Sequence, residues 1–325
     1  MNIRTAPTAL PTTWIPGPRP MEIRSGTATI NDDVTLYYED IGNPDHPPVL
    51  LVMGLGAQLL LWRNGFCERL VNQGYRVIRY DNRDVGLSSR LDGRRSDGRL
   101  ATKVIRSYLG RPSPSVYRLE DMADDAAALL DHLNIERAHI VGASMGGMIA
   151  QIFAALHHTR TSTLGIIFSS NNSAFLPPPA PKALLSLVRG PGVEAPRETV
   201  IDNIVRVGKI IGSPGYPVAD EKRRADAIES YDRAYYPQGI ARHFDAVLGS
   251  GSLKRFNRKI TAPTVVIHGL ADKLMRPSGG RSIAKTISTA RLVLFEGLGH
   301  DLPEALWDDI VGELKTTFSE ANPRG

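Results

Sequence analysis

A serine between two glycines, Gly142-x-Ser144-x-Gly146, constrains the fold of this chain more than any other feature. It follows an apolar run typical of a strand, residues 139–141, and precedes an apolar run typical of a helix, residues 148–156. Side chains beside so sharp a turn would collide with the adjoining strand and helix, and glycine avoids that collision. The pattern therefore predicts a turn that presents the Ser144 hydroxyl as a nucleophile. The alternative is a Gly/Ser-rich loop that only caps the helix.

A serine hydroxyl is a poor nucleophile near neutral pH, so it needs a base, and the base needs an orienting acid. The motif predicts the chain order serine, carboxylate, histidine. A buried strand at 264–269 is followed by Asp272, and a second strand at 291–295 is followed by His300. Both residues come just after the C-terminal ends of strands, where ligands bind in open α/β sheets. We therefore predict His300 as the base and Asp272 as the acid.

Other acids and histidines fit these roles less well. Some serine hydrolases take the acid from the strand after the nucleophile helix, but here that strand, 163–169, is followed by two asparagines at 171–172. Asp301 adjoins His300 and is expected to cap the final helix, which starts near Pro303. His268 lies within an apolar strand, which favours a hydrogen-bonded core residue.

Two backbone amides are candidates for stabilising the oxyanion that forms when a serine attacks a carbonyl. The N–H of Met145 lies at the N-terminus of the predicted helix. The second donor is expected in the glycine-rich loop 53–57, after strand 48–52, and the N–H of Leu55 is the candidate. This loop lacks the third glycine and the later acidic residue of a dinucleotide site, and no P-loop motif occurs in the chain, which argues against both nucleotide interpretations.

These ordered motifs resemble the α/β-hydrolase superfamily between about Ile30 and Phe318. The segments that carry the resemblance are Val52–Gly56, Tyr80–Ser88, Gly142–Gly147, Asp272 and Gly299–His300. The Met-Gly loop with Trp62, the Arg79–Asp81 segment and the Ser-Met-Gly-Gly sequence resemble bacterial carboxylesterases and the aclacinomycin methylesterase-like branch. Many members carry His-Gly where this chain has Met53-Gly54, which makes the loop less polar but keeps its backbone donors. The resemblance implies ester hydrolysis through an acyl-enzyme.

Alternating strand and helix patterns predict an α/β fold with a mostly parallel central sheet and helices on both faces. The alternation breaks at a triple proline and resumes near residue 262, with a polar, helix-leaning stretch between. The predicted regions are an extended Pro-rich N-terminal arm at 1–20, a first core part at 21–176, a mainly helical cap insertion at 177–259 and a second core part at 260–325. Some apolar and aromatic residues of the insertion could face a ligand, although packing onto the core is expected for most of them: Tyr231, Tyr235, Tyr236, Phe244 and Leu248.

Positive charge is concentrated between residues 79 and 118, within a chain of net charge +5. No nucleic-acid motif and few aromatic residues accompany it, so the pattern favours a solvated basic loop over a nucleic-acid site. Steering of anionic substrates is the second interpretation, because the loop follows a strand that could border the site.

The chain has 325 residues, of which 42% are hydrophobic and 22% charged, enough for one large core with an insertion. Cys67 is the one cysteine, so no intrachain disulfide can form. Neither a signal peptide nor a transmembrane span is apparent, which favours a cytoplasmic enzyme without nucleic-acid or membrane partners. The sequence is compatible with a homodimer as well as with a monomer.

The residues thus predict a capped serine carboxylesterase that acts on small-molecule esters of short to medium acyl chain. The proposed groups are Ser144, Asp272 and His300, with Leu55 and Met145 in the oxyanion hole. Neither a metal nor an organic cofactor is expected. A lactonase or thioesterase would use the same triad, and a cofactor-free lyase or oxygenase, or a non-catalytic ligand-binding protein, could share the fold.

Overall fold

The computed structural model describes residues 2–4, 21–188 and 190–321, which form one nine-stranded sheet flanked by helices. The strands are β1 (Asn2–Arg4), β2 (Ile23–Thr29), β3 (Thr35–Ile41), β4 (Pro48–Val52), β5 (Arg76–Tyr80), β6 (Ala138–Ala143), β7 (Thr161–Ile167), β8 (Thr264–Gly269) and β9 (Ala290–Phe295). The helices are α1 (Asn64–Asn72), α2 (Leu100–Tyr108), α3 (Leu119–His132), α4 (Met145–Leu156), α5 (Pro181–Val188), α6 (Arg197–Ile211), α7 (Asp220–Arg233), α8 (Pro237–Ser250), α9 (Lys254–Asn257), α10 (Pro277–Thr286) and α11 (Trp307–Ser319). Short 3₁₀ turns cover Leu59–Leu61, His158–Arg160 and Glu304–Leu306.

The strands lie in the order β1-β9-β8-β7-β6-β4-β5-β3-β2. In this order, the strands from the edge strand β1 as far as β5 are parallel to one another. Strand β3 pairs antiparallel with both β5 and β2. The hairpin predicted near the N-terminus is β2–β3. Strands β4, β6 and β8 are almost wholly buried, as apolar runs in a parallel sheet covered on both faces must be. The predicted fold class, an α/β fold with a mostly parallel sheet, is confirmed.

Successive residues of the central strands enter two separate cores, one on each face of the sheet. One face receives Leu50, Ile140 and Val266, and the other receives Leu51, Val141 and Ile267. This alternation follows from the two-residue period of a strand. Because β4, β6, β8 and β9 run in the same direction, their C-terminal ends lie at one edge of the sheet, and the loops that carry the predicted site residues follow those ends.

The segment between β7 and β8 holds helices α5–α9, which is the mainly helical insertion expected there. Of the predicted arm at 1–20, only residues 2–4 are described, and they pair in parallel with β9. The interpretation of residues 5–20 as an extended arm lies outside the described residues.

The expectation of a solvated basic loop between residues 79 and 118 is wrong for several of its charges. Residues 100–108 form helix α2, and Lys103 is buried with its ammonium 2.8 Å from Asp245 of α8. The buried Arg83 forms a two-bond ion pair with Asp125, with both N–O distances 2.6 Å. These cations form ion pairs with acids far away in sequence, which spacing along the chain does not reveal.

Candidate active site

Ser144 occupies a strained turn between β6 and α4. Its backbone has φ 57° and ψ −122°, a conformation that L-residues rarely adopt. A Cβ on Gly142 would lie 2.1 Å from the carbonyl oxygen of Gly146, and a Cβ on Gly146 would lie 2.1 Å from the carbonyl oxygen of Val52. Both positions therefore require glycine, for the steric reason that the sequence pattern suggests.

The structure brings Ser144, His300 and Asp272 together although they lie on three different loops. His300 Nε2 is 2.9 Å from Ser144 Oγ, and His300 Nδ1 is 2.7 Å from Asp272 Oδ2. The second oxygen of Asp272 accepts hydrogen bonds from the amides of Leu274 and Met275, at 2.8 and 2.9 Å. With the carboxylate ionised, the imidazole proton lies on Nδ1, and Nε2 is free to accept the proton of the serine hydroxyl.

His268 supports the loop that carries Asp272. It is fully buried, and its Nε2 donates to the carbonyl oxygen of Met275 at 2.7 Å. Burial lowers the pKa of this imidazole, so the neutral form is favoured. The position agrees with the expected hydrogen-bonded core residue, and the bond to Met275 restrains the turn whose amides hold Asp272.

The two candidate oxyanion donors lie beside the serine. A Cβ on Gly54 would be 2.9 Å from Ser144 Cβ, so the loop of residues 53–57 passes directly over Ser144. Within residues 2–4, 21–188 and 190–321, neither the Leu55 amide nor the Met145 amide has a hydrogen-bond acceptor. Both donors are thus available to a ligand, as an oxyanion hole requires.

His243 of helix α8 holds this loop, and the sequence gives no signal for that contact. Its Nδ1 accepts the Gly56 amide at 3.0 Å, while its Nε2 donates to the carbonyl oxygen of Arg83 at 2.7 Å. Asn82 adds a bond from its side-chain amide to the carbonyl oxygen of Met53 at 2.9 Å. Burial lowers the pKa of His243 to about 4, which keeps Nδ1 an acceptor at neutral pH.

Asp301 does not cap the final helix, contrary to the expectation from sequence. Its carboxylate accepts a hydrogen bond from the hydroxyl of Ser213, just after helix α6, and burial raises the pKa of Asp301. The same Ser213 oxygen accepts the Gly299 amide at 2.9 Å, and the His300 amide donates to the carbonyl oxygen of Ile211 at 2.8 Å. The end of α6 therefore holds the loop that bears His300.

A cavity of about 2310 Å³ opens onto Ser144 and His300. Its wall combines the loop of residues 53–57 with residues of α2, α6, α7 and α8. Packing onto the core is the sequence-based expectation for most of the following residues, but the structure places all of them along this cavity: Tyr231, Tyr235, Tyr236, Phe244 and Leu248.

In the described ranges, no three His, Cys, Asp or Glu side chains are arranged so that they could hold a metal ion. Nor does any helix there have the length and apolar character needed to cross a bilayer.

Comparison with known proteins places the chain in a family. The profile of the alpha/beta hydrolase fold matches residues 47–304. Rhodomycin D methylesterase of Streptomyces peucetius is 29% identical over 305 residues, covering 87% of this chain and 95% of the methylesterase. The 3-oxoadipate enol-lactonase 2 of Acinetobacter baylyi is 27% identical, covering 81% and 86% of the two chains.

Solved structures show the same architecture. A meta-cleavage product hydrolase from Pseudomonas fluorescens superposes with a TM-score of 0.70 at 21% identity, covering 92% of this chain and 99% of that one. An esterase from a Rhodococcus species superposes with a TM-score of 0.69 at 19% identity, covering 92% and 99%. The match of the profile over most of the sequence shows that this chain belongs to the α/β-hydrolase fold family.

Proposed function

We propose that this protein is a serine carboxylesterase that hydrolyses small-molecule esters through an acyl-enzyme. The observation that carries the proposal is the continuous hydrogen-bond chain from Ser144 through His300 to the buried Asp272, with links of 2.9 and 2.7 Å. The strained turn that holds the serine above the helix gives independent support, because such strain is retained where function requires it.

In the proposed reaction, Ser144 Oγ attacks the ester carbonyl carbon while His300 Nε2 takes the hydroxyl proton. The Leu55 and Met145 amides donate to the oxyanion of the tetrahedral intermediate. The intermediate collapses, the alcohol leaves with the proton from His300, and the acyl group remains on the serine. Water then attacks the acyl-enzyme, His300 takes a proton from it, and the carboxylic acid is released as the serine regains its proton.

The substrate proposal has two parts. Among linear esters, short to medium acyl chains are the proposed substrates. A methyl ester of a bulky acid is the second candidate, because the relatives include rhodomycin D methylesterases and the cavity, about 2310 Å³, exceeds the roughly 300–1000 Å³ of common ligand pockets. Because one relative is an enol-lactonase and the same groups would open a lactone, a panel of lactones should be assayed as well.

Residues 177–259 are proposed to act as a cap over a core made of residues 21–176 and 260–325. This is supported by the contribution of α6, α7 and α8 to the cavity wall opposite the strand ends. His243 on α8 and Ser213 after α6 also tie the insertion to the two loops around the serine.

The test is the Ser144→Ala variant assayed with p-nitrophenyl acetate. Loss of the nucleophile should lower kcat by on the order of 10⁴-fold or more, and alanine should leave the circular dichroism spectrum and Tm close to wild type. The wild type should also release a burst of p-nitrophenol matching the enzyme concentration. Ser170→Ala is the matched control, because Ser170 also lines the cavity but lies outside the triad. A Ser144→Ala variant with most of the wild-type rate would overturn the proposal.

A further inference from the structure

Arg223 of helix α7 lines the same cavity as Ser144 and His300, and it has no ion-pair partner in the described part of the chain. Its Nε is buried without a hydrogen-bond partner. The next residue, Arg224, differs in both respects, because its guanidinium pairs with Asp202 at 2.6 Å and with Glu198. The residues outside the described ranges contain no Asp or Glu, so none of their side chains supplies a carboxylate to Arg223.

Glycines on helix α6 and directly after it make room for the Arg223 guanidinium. A Cβ on Gly208 would lie 2.9 Å from Arg223 Nη1, so a larger residue there would displace the side chain. A Cβ on Gly212 would lie 3.6 Å from the same nitrogen and 3.0 Å from Asp301 Oδ2. The guanidinium and the Asp301 carboxyl therefore both lie beside Gly212, next to the loop that carries His300.

Asp301 is the acid nearest to this arginine in charge effect, since burial raises the pKa of Asp301 and the Arg223 cation lowers it to a smaller extent. The two side chains nevertheless form no ion pair, because the Asp301 carboxylate is hydrogen-bonded to Ser213. The other cations on the cavity wall include several with acidic partners. Lys103 pairs with Asp245 at 2.8 Å, and Arg242 pairs with Asp84 at 2.7 Å. Arg223 is thus a cation on the cavity wall, beside the loop that carries His300, that forms no ion pair in the described part of the chain.

We propose that Arg223 binds a carboxylate of the substrate, so that the preferred esters include half-esters of dicarboxylic acids. This inference rests on the proposed esterase function. A guanidinium presents a planar fork of N–H donors that matches the two oxygens of a carboxylate. A partly buried guanidinium that forms no ion pair and has an unbonded N–H gains from such a ligand, because the ligand supplies both the opposite charge and the missing hydrogen bonds.

The test compares two substrates that differ only at the far end of the acyl chain. One is the mono-p-nitrophenyl ester of suberic acid, and the other has an N-methylamide in place of the free carboxylate. Arg223→Met should lower the ratio of kcat/KM for the acid to kcat/KM for the amide by about 10- to 100-fold, as expected for loss of a hydrogen bond between charged partners. Arg223→Lys should restore part of the ratio, because it keeps the charge but not the fork.

Arg224→Met is the matched control, because it removes an adjacent arginine that pairs with acids instead of facing the ligand. It should leave the ratio unchanged. An equal fall in both methionine variants would indicate general attraction of anions and overturn the subsite, and so would an unchanged ratio in Arg223→Met.

A binding experiment separates the subsite from the esterase proposal. Titration calorimetry of the Ser144→Ala variant with suberate should show binding that weakens by about 10- to 100-fold when Arg223→Met is added. This readout does not depend on turnover. Failure of the wild type to hydrolyse either ester would therefore refute the esterase, whereas absence of suberate binding would refute the Arg223 subsite.

Discussion

At the residue scale, two carboxylates are candidates for the acid that orients His300, those of Asp272 and Asp301. One carboxylate oxygen of Asp272 accepts a hydrogen bond from His300 Nδ1 at 2.7 Å, and its other oxygen accepts hydrogen bonds from two backbone amides. Asp301 follows His300 in the chain, but its side chain turns to Ser213. Of these two carboxylates, Asp272 is the one bonded to the imidazole, so the proposed acid is Asp272, which would hold the His300 proton on Nδ1 and leave Nε2 as the proposed base.

We expect Asp272→Asn to lower kcat by about 10³- to 10⁴-fold, because an amide cannot favour the imidazole with its proton on Nδ1. Asp301→Asn should lower kcat far less, since the partner of Asp301 is the Ser213 hydroxyl and not the imidazole. Steady-state assays of both variants with p-nitrophenyl acetate measure the difference. A larger loss in Asp301→Asn would show that the acid is assigned to the wrong residue.

A site residue can be predicted from the sequence when a short motif around it indicates its role. Ser144, Asp272 and His300 each sit in a short pattern at the end of an apolar strand, so type, order and position can be read directly. The roles of His243 and Ser213 cannot, because the groups they bind lie 187 and 86 residues away along the chain. Contacts of that kind depend on how the helices between β7 and β8 fold back on the sheet, which residue patterns do not specify.

At the element scale, helix α8 couples the insertion to the loop of residues 53–57. His243 accepts a hydrogen bond from the Gly56 amide, and a Cβ on Gly56 would lie 2.7 Å from the Ile240 side chain. Helix α2 illustrates what the sequence conceals at this scale. Its apolar residues lie along the cavity and its Lys103 pairs with α8, so a stretch that resembles a basic loop is a helix packed beside the site.

His243→Phe should lower kcat more than it changes KM, by about 10- to 100-fold, because the Gly56 amide loses its acceptor and the adjacent Leu55 donor is no longer held. His243→Gln offers an acceptor and a donor of similar reach and should restore part of the rate. Assays of kcat and KM with p-nitrophenyl acetate check both variants. His157→Gln, at the far end of α4, is the control and should behave as wild type. Equal losses for Phe and Gln would argue against positioning through these hydrogen bonds.

At the scale of the whole molecule, buried neutral histidines link stability to pH. Burial lowers the pKa of His139 to about 4, with a smaller effect from Arg137, and lowers the pKa of His243 to about 4. The unfolded chain titrates near 6.5 and so binds more protons than the folded one between about pH 6.5 and 4. The stability they contribute is fully present above about pH 6.5 and is lost as the pH falls towards 4.

The free energy of unfolding should thus fall on acidification by up to about 1.4 kcal/mol per pH unit for each histidine. Buried Asp81, Asp125 and Asp301 have raised pKa values and act in the opposite sense, so a variant is needed to isolate one imidazole. His139→Gln should flatten the pH dependence in urea titrations between about pH 7 and 5. Ile140→Val, on the same strand, should lower stability but keep the wild-type slope. An unchanged slope in His139→Gln would contradict the assignment.

The size and wall of the cavity bear on which acyl chains the whole molecule accepts. Apolar residues near the serine, such as Leu55 and Phe168, should reward the first carbons of a chain, since each buried methylene contributes about 0.8 kcal/mol, or roughly fourfold in kcat/KM. Charged groups such as Arg223 and the Lys103–Asp245 pair interrupt the wall, so a longer chain must desolvate them or remain in water. We therefore expect kcat/KM for p-nitrophenyl esters to rise from acetate, to peak at short or medium chains and to fall towards palmitate. A maximum at palmitate, or activation by emulsified oil, would mean that the insertion serves a lipase instead.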